Sequence, residues 1–182
     1  MSAPAVVGGA TMVVVKGPRT RVTAKDTLAQ MRTIVRDQVI APIVWETARR
    51  IVAKVTPRAE SDQAQTIRQW CATRWRFVND PRWYQNLPGN APIYSLQKIG
   101  DQGYCQGNCA GAAMLSAALC EAIQIPCKFI GVAFDDASAP YSHVFAVAYP
   151  KTTGGRVAVE MDFTRPADVR RAQFSRRLVA NV

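Results

Sequence analysis

Histidine is nearly absent: His143 is the only one in 182 residues. Any imidazole chemistry must pass through that residue, and a His-rich metal site is excluded. Acidic residues are also scarce, 13 Asp and Glu against 23 Lys and Arg, for a net charge of +10. That balance favours an acidic partner, whether nucleic acid, an anionic membrane surface or an acidic protein. No nucleic-acid-binding motif accompanies the basic residues, which are densest at Arg165, Arg170, Arg171, Arg176 and Arg177. No apolar window approaches the roughly 20 residues of a membrane span. Five cysteines, an odd number without framework spacing, fit a reducing compartment better than a disulfide-stapled domain. The first residues lack a charged n-region and a convincing apolar h-region, so they do not read as a signal peptide. No internal repeat or low-complexity tract is present. The length suits one domain with a proper core.

The chain is organised around Gly103–Pro126. From Cys109 to Gln124 the only charged residue is Glu121. A helix so apolar is buried on most sides. Gly107 and Asn108 form a tight turn that sets Cys109 at the helix N-terminus. Unpaired amides and the helix dipole favour an anion there, so the thiol is expected to lean towards thiolate, the nucleophilic form. The bland alternative is a buried helix whose cysteines are small hydrophobes. Cys105 and Cys109 have a spacing reminiscent of a metal site, but four well-spaced ligands are lacking, so no metal or other cofactor is expected.

Residues 1–25 read as an irregular arm, with a β-favouring run at Met12–Val15. A helix capped by Asp26 or Thr27 shows Leu28, Met31, Ile34, Val35 and Val39 on one face, until Pro42 interrupts it. A second helix buries Val44, Ala48, Ile51, Val52 and Val55. A third starts at Ser61 or Asp62 and carries Ala64, Ile67, Trp70, Cys71 and Trp75. Residues 79–102, with Trp83, Tyr84 and Tyr94, read as a long aromatic loop that lines a cleft or covers the core. Beyond the central helix, strands are expected at Cys127–Phe134, Tyr141–Tyr149 and Arg156–Asp162. Turns join them at Asp135–Pro140 and Lys151–Gly155. A meander behind a buried helix makes an α+β domain with an antiparallel sheet. The last residues, 167–182, read as a solvated basic tail.

His143 lies near the start of the second strand and Asp162 at the end of the third. Neighbouring antiparallel strands bring those ends together. The hairpin centre is Thr152–Gly154, about ten residues after His143 and nine before Asp162. Cross-strand Cβ atoms are then about 5 Å apart, or somewhat more on a diagonal. That reach lets a carboxylate orient an imidazole. Together Cys109, His143 and Asp162 have the makings of a nucleophile, a general base and its orienting acid. Singly, a lone histidine or a strand-end aspartate is more often structural. Cys105 is an alternative nucleophile, but it precedes the helix and lacks its dipole. The Cys109 amide would be one oxyanion donor, with Gln102, Tyr104 and Gln106 as candidates for a second.

These residues resemble the transglutaminase-like cysteine enzymes of the papain-like group. The likeness is carried by Gly107-Asn108-Cys109, the apolar helix, Ile125-Pro126, Ser142-His143-Val144 and Glu160-Met161-Asp162-Phe163-Thr164. It covers roughly residues 26–166. The upstream part, with Trp75-Arg76-Phe77-Val78-Asn79-Asp80-Pro81, is similar to bacteriophage-encoded members. Three positions depart from the family pattern: Asn108 replaces Asp, Ala110-Gly111 stands where phage members carry acidic residues, and Gln124 replaces Gly. The resemblance implies a papain/transglutaminase-like core and acyl transfer at an amide, either as peptidase or amidase hydrolysis or as transglutaminase cross-linking. It implies a protein or peptide substrate and a host-cytoplasmic or virion-associated location. Some family members depend on calcium, but no acidic loop here suits that ion. Two other readings are a non-catalytic virion component, bound to acidic partners, nucleic acid or other virion proteins, and a small-molecule acyltransferase. The latter requires a deep apolar acceptor pocket.

Overall fold

The computed structural model describes residues 23–78, 87–133, 141–164 and 176–182. The run at Met12–Val15, Trp83 and Tyr84, the turn at Asp135–Pro140, and Arg165, Arg170 and Arg171 lie outside them. Helices α1 (Ala24–Gln38), α2 (Pro42–Val52) and α3 (Glu60–Arg74) come first, then the short strand β1 (Trp75–Phe77). Next are a 3-10 turn (Pro88–Asn90), α4 (Pro92–Gln102), β2 (Cys105–Gly107) and α5 (Cys109–Glu121). Strands β3 (Cys127–Ala133), β4 (His143–Ala148), β5 (Lys151–Thr152), β6 (Gly155–Arg156), β7 (Val159–Glu160) and β8 (Arg176–Asn181) complete the order.

Every residue of α5 from Cys109 to Cys120 is buried. The main sheet runs β7-β4-β3-β8, with every pairing antiparallel. Val144, Ala146 and Ala148 of β4, with Cys127 and Phe129 of β3, join α5 in the main core. Leu28, Met31 and Val35 of α1, Val44 and Ala48 of α2, Ala64, Ile67 and Cys71 of α3, and Leu96 and Ile99 of α4 belong to the same core. Small side chains on α5 let these elements approach closely. The Ser116 hydroxyl is satisfied within the helix, donating to the Ala112 carbonyl at 3.0 Å.

Several expectations needed correction. Helix α1 starts two residues before Asp26. Thr23 is its cap, and Asp26 closes a capping box by accepting from the Thr23 N–H at 3.0 Å. Helix α3 starts at Glu60, without a side-chain cap. Half of the supposed aromatic loop is helix α4. Pro92 fills its first turn, where no N–H is needed, and Gly103 ends it at φ 82°. Ile93, Leu96 and Ile99 fall at helical spacing and carried that signal. The end of the supposed basic tail is β8, paired with β3 from Lys128↔Asn181 to Ala133↔Arg176. The third strand is shorter than expected: only Val159–Glu160 pairs with β4, while Lys151–Thr152 and Gly155–Arg156 form a separate small hairpin.

Helix α5 ends in a Schellman turn. Ile125 N–H donates to the Cys120 carbonyl at 3.0 Å, and Gln124 N–H to that of Glu121 at 2.9 Å. Gln124 sits at φ 67°, which is why glycine suits the position. Glu121 secures the exit, its carboxylate accepting from Cys127 N–H at 2.6 Å.

Helices α4 and α5 give contrasting stability predictions. A Cβ on Gly111 would stand 2.8 Å from the Trp75 ring and 2.9 Å from Asn90 Oδ1. Gly111→Ala is expected to cost about 1 to 3 kcal/mol through overpacking. Gly100, inside α4, meets nothing within 4 Å, so Gly100→Ala should gain about 0.5 to 1 kcal/mol. Gln124→Gly should gain up to about 1 kcal/mol by relieving the left-handed backbone. Urea unfolding of the three variants checks all three signs.

Candidate active site

Strands β1 and β2 pair in parallel, Trp75 with Cys105 through Phe77 with Gly107. Val78 N–H extends the ladder to the Gly107 carbonyl at 2.9 Å. This anchor delivers Asn108 to the start of α5. The Asn108 side chain caps the helix, accepting from Gly111 N–H at 3.1 Å. Asparagine and aspartate cap about equally well, so the departure from Asp leaves the turn intact. Gly107 and Gly111 both lie against Trp75 and Asn90, too close for a Cβ. That contact seats the first turn of α5, and with it Cys109.

The Cys109 thiol lies within hydrogen-bonding reach of the backbone N–H groups of Val144 and Ala110. Val144 follows His143 directly, so the helix tip meets β4 at the histidine. Burial pushes the thiol up to about 11, although those amides pull it down; the nearby Asp162 charge adds to the rise. This reverses the expected lean towards thiolate. The side chain is 5% exposed, and desolvation of the anion outweighs the amides at the helix start.

His143 Nε2 and Asp162 Oδ2 are 2.8 Å apart, both side chains buried. Strand register explains the contact. Val147 pairs with Glu160 and Ala148 with Val159, and Met161 N–H reaches the Ala146 carbonyl at 2.9 Å. Continuing that register sets Asp162 opposite Phe145, one diagonal from His143. The imidazole stacks on Phe145 with centroids 5.9 Å apart. The other carboxylate oxygen of Asp162 accepts from the N–H and hydroxyl of Thr164, both at 3.1 Å. Thr164 had no role in the sequence reading beyond its place in the motif. Its spacing two residues after the aspartate, which suits an Asx-type turn, was the available signal.

The oxyanion candidates fare unequally. The Gln102 amide donates to the Tyr104 carbonyl at 3.2 Å. The Tyr104 ring lies 3.5 Å below the Arg76 guanidinium. Gln106 is exposed on β2, opposite Arg76 in the register. The alternative nucleophile, Cys105, is 3% exposed, and burial raises its thiol as well. All five cysteines are free thiols. Among the described residues no three His, Cys, Asp or Glu side chains gather as metal donors. No helix among them is long and apolar enough to cross a membrane.

The family model of the transglutaminase-like superfamily matches residues 46–160, more than half of the chain. The chain belongs to the transglutaminase-like superfamily. The matched span contains Cys109 and His143 and stops two residues before Asp162. No curated protein sequence matches the chain. Among solved structures, it is similar to a protein from Cytophaga hutchinsonii described provisionally as a cysteine protease. Identity is 17% and the TM-score 0.49, over 76% of this chain and 47% of that one. The chain thus spans about half of that protein's length, and so distant a likeness carries no functional argument.

The Thr164 contact yields a prediction for the candidate site. Thr164→Val removes the hydroxyl bond while keeping side-chain volume and the backbone bond. Acylation of Cys109 by 4-nitrophenyl acetate should slow several-fold, and less than in Asp162→Asn. Stopped-flow release of nitrophenolate reads both. Equal rates for Thr164→Val and the unsubstituted protein would show that the hydroxyl does not hold the carboxylate.

Proposed function

We propose that this superfamily member carries out thiol-dependent acyl transfer at an amide, with hydrolysis as its main outcome. The observation that carries the reading is the buried His143–Asp162 pair, 2.8 Å apart, on the strand whose next amide reaches the Cys109 thiol. Cys109 acts as nucleophile, His143 as general base and then acid, and Asp162 as the group that orients the ring. Asp162 holds Nε2, and in this reading the proton is exchanged at Nδ1.

The raised thiol defines the order of events. A thiol pushed up to about 11 is protonated at neutral pH. Its thiolate fraction at pH 8 is about one in a thousand. Proton transfer to His143 therefore accompanies attack on the carbonyl, and no stored thiolate precedes it. The Cys109 N–H, at the helix start, is one donor for the oxyanion. Gln106 is the preferred second donor, because Gln102 is already committed to Tyr104. Collapse of the tetrahedral intermediate expels the amine with the proton from His143. Water then cleaves the thioester. An amine in place of water would give a cross-link, which requires a site that excludes water.

A non-catalytic role is the competing reading, and the deep burial of Cys109 is the observation in its favour. In that reading the excess of basic residues would serve an acidic partner, nucleic acid or other virion proteins. An acyltransferase would need an acceptor pocket at the thiol. The cavity between α2, α3 and α4 has none of Cys109, His143 or Asp162 in its lining.

Incubation with 4-nitrophenyl acetate, followed by peptide mass spectrometry, decides between these readings. An acetyl adduct on Cys109 is expected, retained in Cys105→Ala and lost in His143→Ala. Iodoacetamide labelling of Cys109 should show no plateau at low pH and rise through the alkaline range, with His143→Ala slowing it at pH 7 to 8. Absence of any adduct on Cys109, with labelling indifferent to His143, would favour the non-catalytic role.

A further inference from the structure

A cavity of about 640 Å³ opens between α2, α3 and α4. Its lining includes the guanidinium-bearing Arg50 and Arg74, together with Trp70, Ile43, Leu96 and Ile99. Among the described residues that line it, none is acidic. Arg74 lies over the Trp70 ring at 4.7 Å and donates through Nη1 to the Thr73 hydroxyl at 3.0 Å. Arg50 makes one long contact, 3.5 Å, to the Thr47 hydroxyl. A guanidinium has five N–H donors in a planar fork. Each arginine spends one on a neighbouring threonine, and neither has a carboxylate partner among the described residues.

We propose that this cavity binds a small organic anion, a carboxylate carried on an apolar or aromatic body. Two positive groups on one concave wall repel each other, and an anion removes that repulsion. The planar fork matches a carboxylate in bidentate geometry, and stacking on Trp70 restrains the Arg74 plane before the ligand arrives. The apolar wall of Ile43, Leu96 and Ile99 provides burial for the rest of the molecule. The volume lies within the usual range of small-molecule sites, roughly 300 to 1,000 Å³, and far exceeds a lone oxyanion. A singly charged head suits a wall that sets Ile43, Leu96 and Ile99 beside the two arginines better than a phosphate dianion, whose desolvation is dearer. The site is separate from Cys109 and does not depend on thiol chemistry.

The probe is 4-phenylbutyrate, titrated into the full chain by calorimetry and by ¹H–¹⁵N spectra. Saturable one-to-one binding is expected, with shifts confined to the Gly100 and Gly103 amides, the Trp70 indole and their neighbours. Arg50→Gln and Arg74→Gln should each weaken binding about tenfold, the equivalent of losing a charge-assisted hydrogen bond. Gly100→Leu, at a position where a Cβ meets nothing within 4 Å, should block the cavity and abolish binding in a folded protein. The uncharged 4-phenylbutanol should bind far more weakly. Equal affinity for the alcohol, indifference to both arginine substitutions, or inorganic phosphate binding as tightly as the probe would each overturn the proposal.

Discussion

The structure depends on a helix with no solvent face. Helix α5 is buried from Cys109 to Cys120, so every neighbouring element must supply it with a surface. Four helices and the antiparallel sheet do so. Alanine, glycine and serine occupy much of α5, which lets those elements come close without long side chains between them. The first turn is the tightest point. Gly107 and Gly111 admit Trp75 and Asn90 where no Cβ would fit, and Asn108 caps the same turn. The position of Cys109 is thus a packing result before it is a chemical one.

Burial of that turn has a chemical consequence. A helix N-terminus favours an anion, whereas a dry site opposes it. At Cys109 the dry site wins, and the thiol rises to about 11. A thiol that stays protonated would need a base at the moment of attack, which is the role proposed for His143. Asp162 is itself held from the far side by the half-buried Thr164, so imidazole, carboxylate and threonine form one chain of hydrogen bonds. Such a chain holds its geometry because both carboxylate oxygens of Asp162 have partners in a region where an unpaired one is costly.

Much of this was legible in the chain. The apolar run after Asn108 announced a buried helix, and the glycine before it a tight turn. The alternation of β4, with His143, Phe145 and Val147 on one face and Val144, Ala146 and Ala148 on the other, matched the strand. The hairpin arithmetic from Thr152–Gly154 placed His143 and Asp162 opposite each other to within a residue, and the observed register sets them one diagonal apart. Helix α4 was less legible because its aromatic and proline-rich lead obscured the spacing of Ile93, Leu96 and Ile99. Strand β8 was less legible still. Its arginines suggest solvent, and only the free edge of β3 explains why Arg176–Asn181 pairs there. An edge strand takes its place from the neighbour that needs hydrogen bonds, a constraint that local sequence does not contain.

Sequence alone determined the first three helices, the buried character of α5, the β3–β4 part of the meander and which three side chains were worth bringing together. These follow from periodicity and turn chemistry, which act over a few residues. Only the tertiary structure decided that the Cys109 thiol is raised, that Thr164 braces Asp162, that Gln102 is spent on Tyr104, and that Arg50 and Arg74 share a cavity with no acid beside them. The thiol and the cavity depend on groups distant in the chain and on how deeply a group lies from water, whereas the Thr164 and Gln102 contacts join residues only two apart, and the structure chose them among several local options. Burial and cross-element distance are properties of the packed molecule, set only when the helices close on α5.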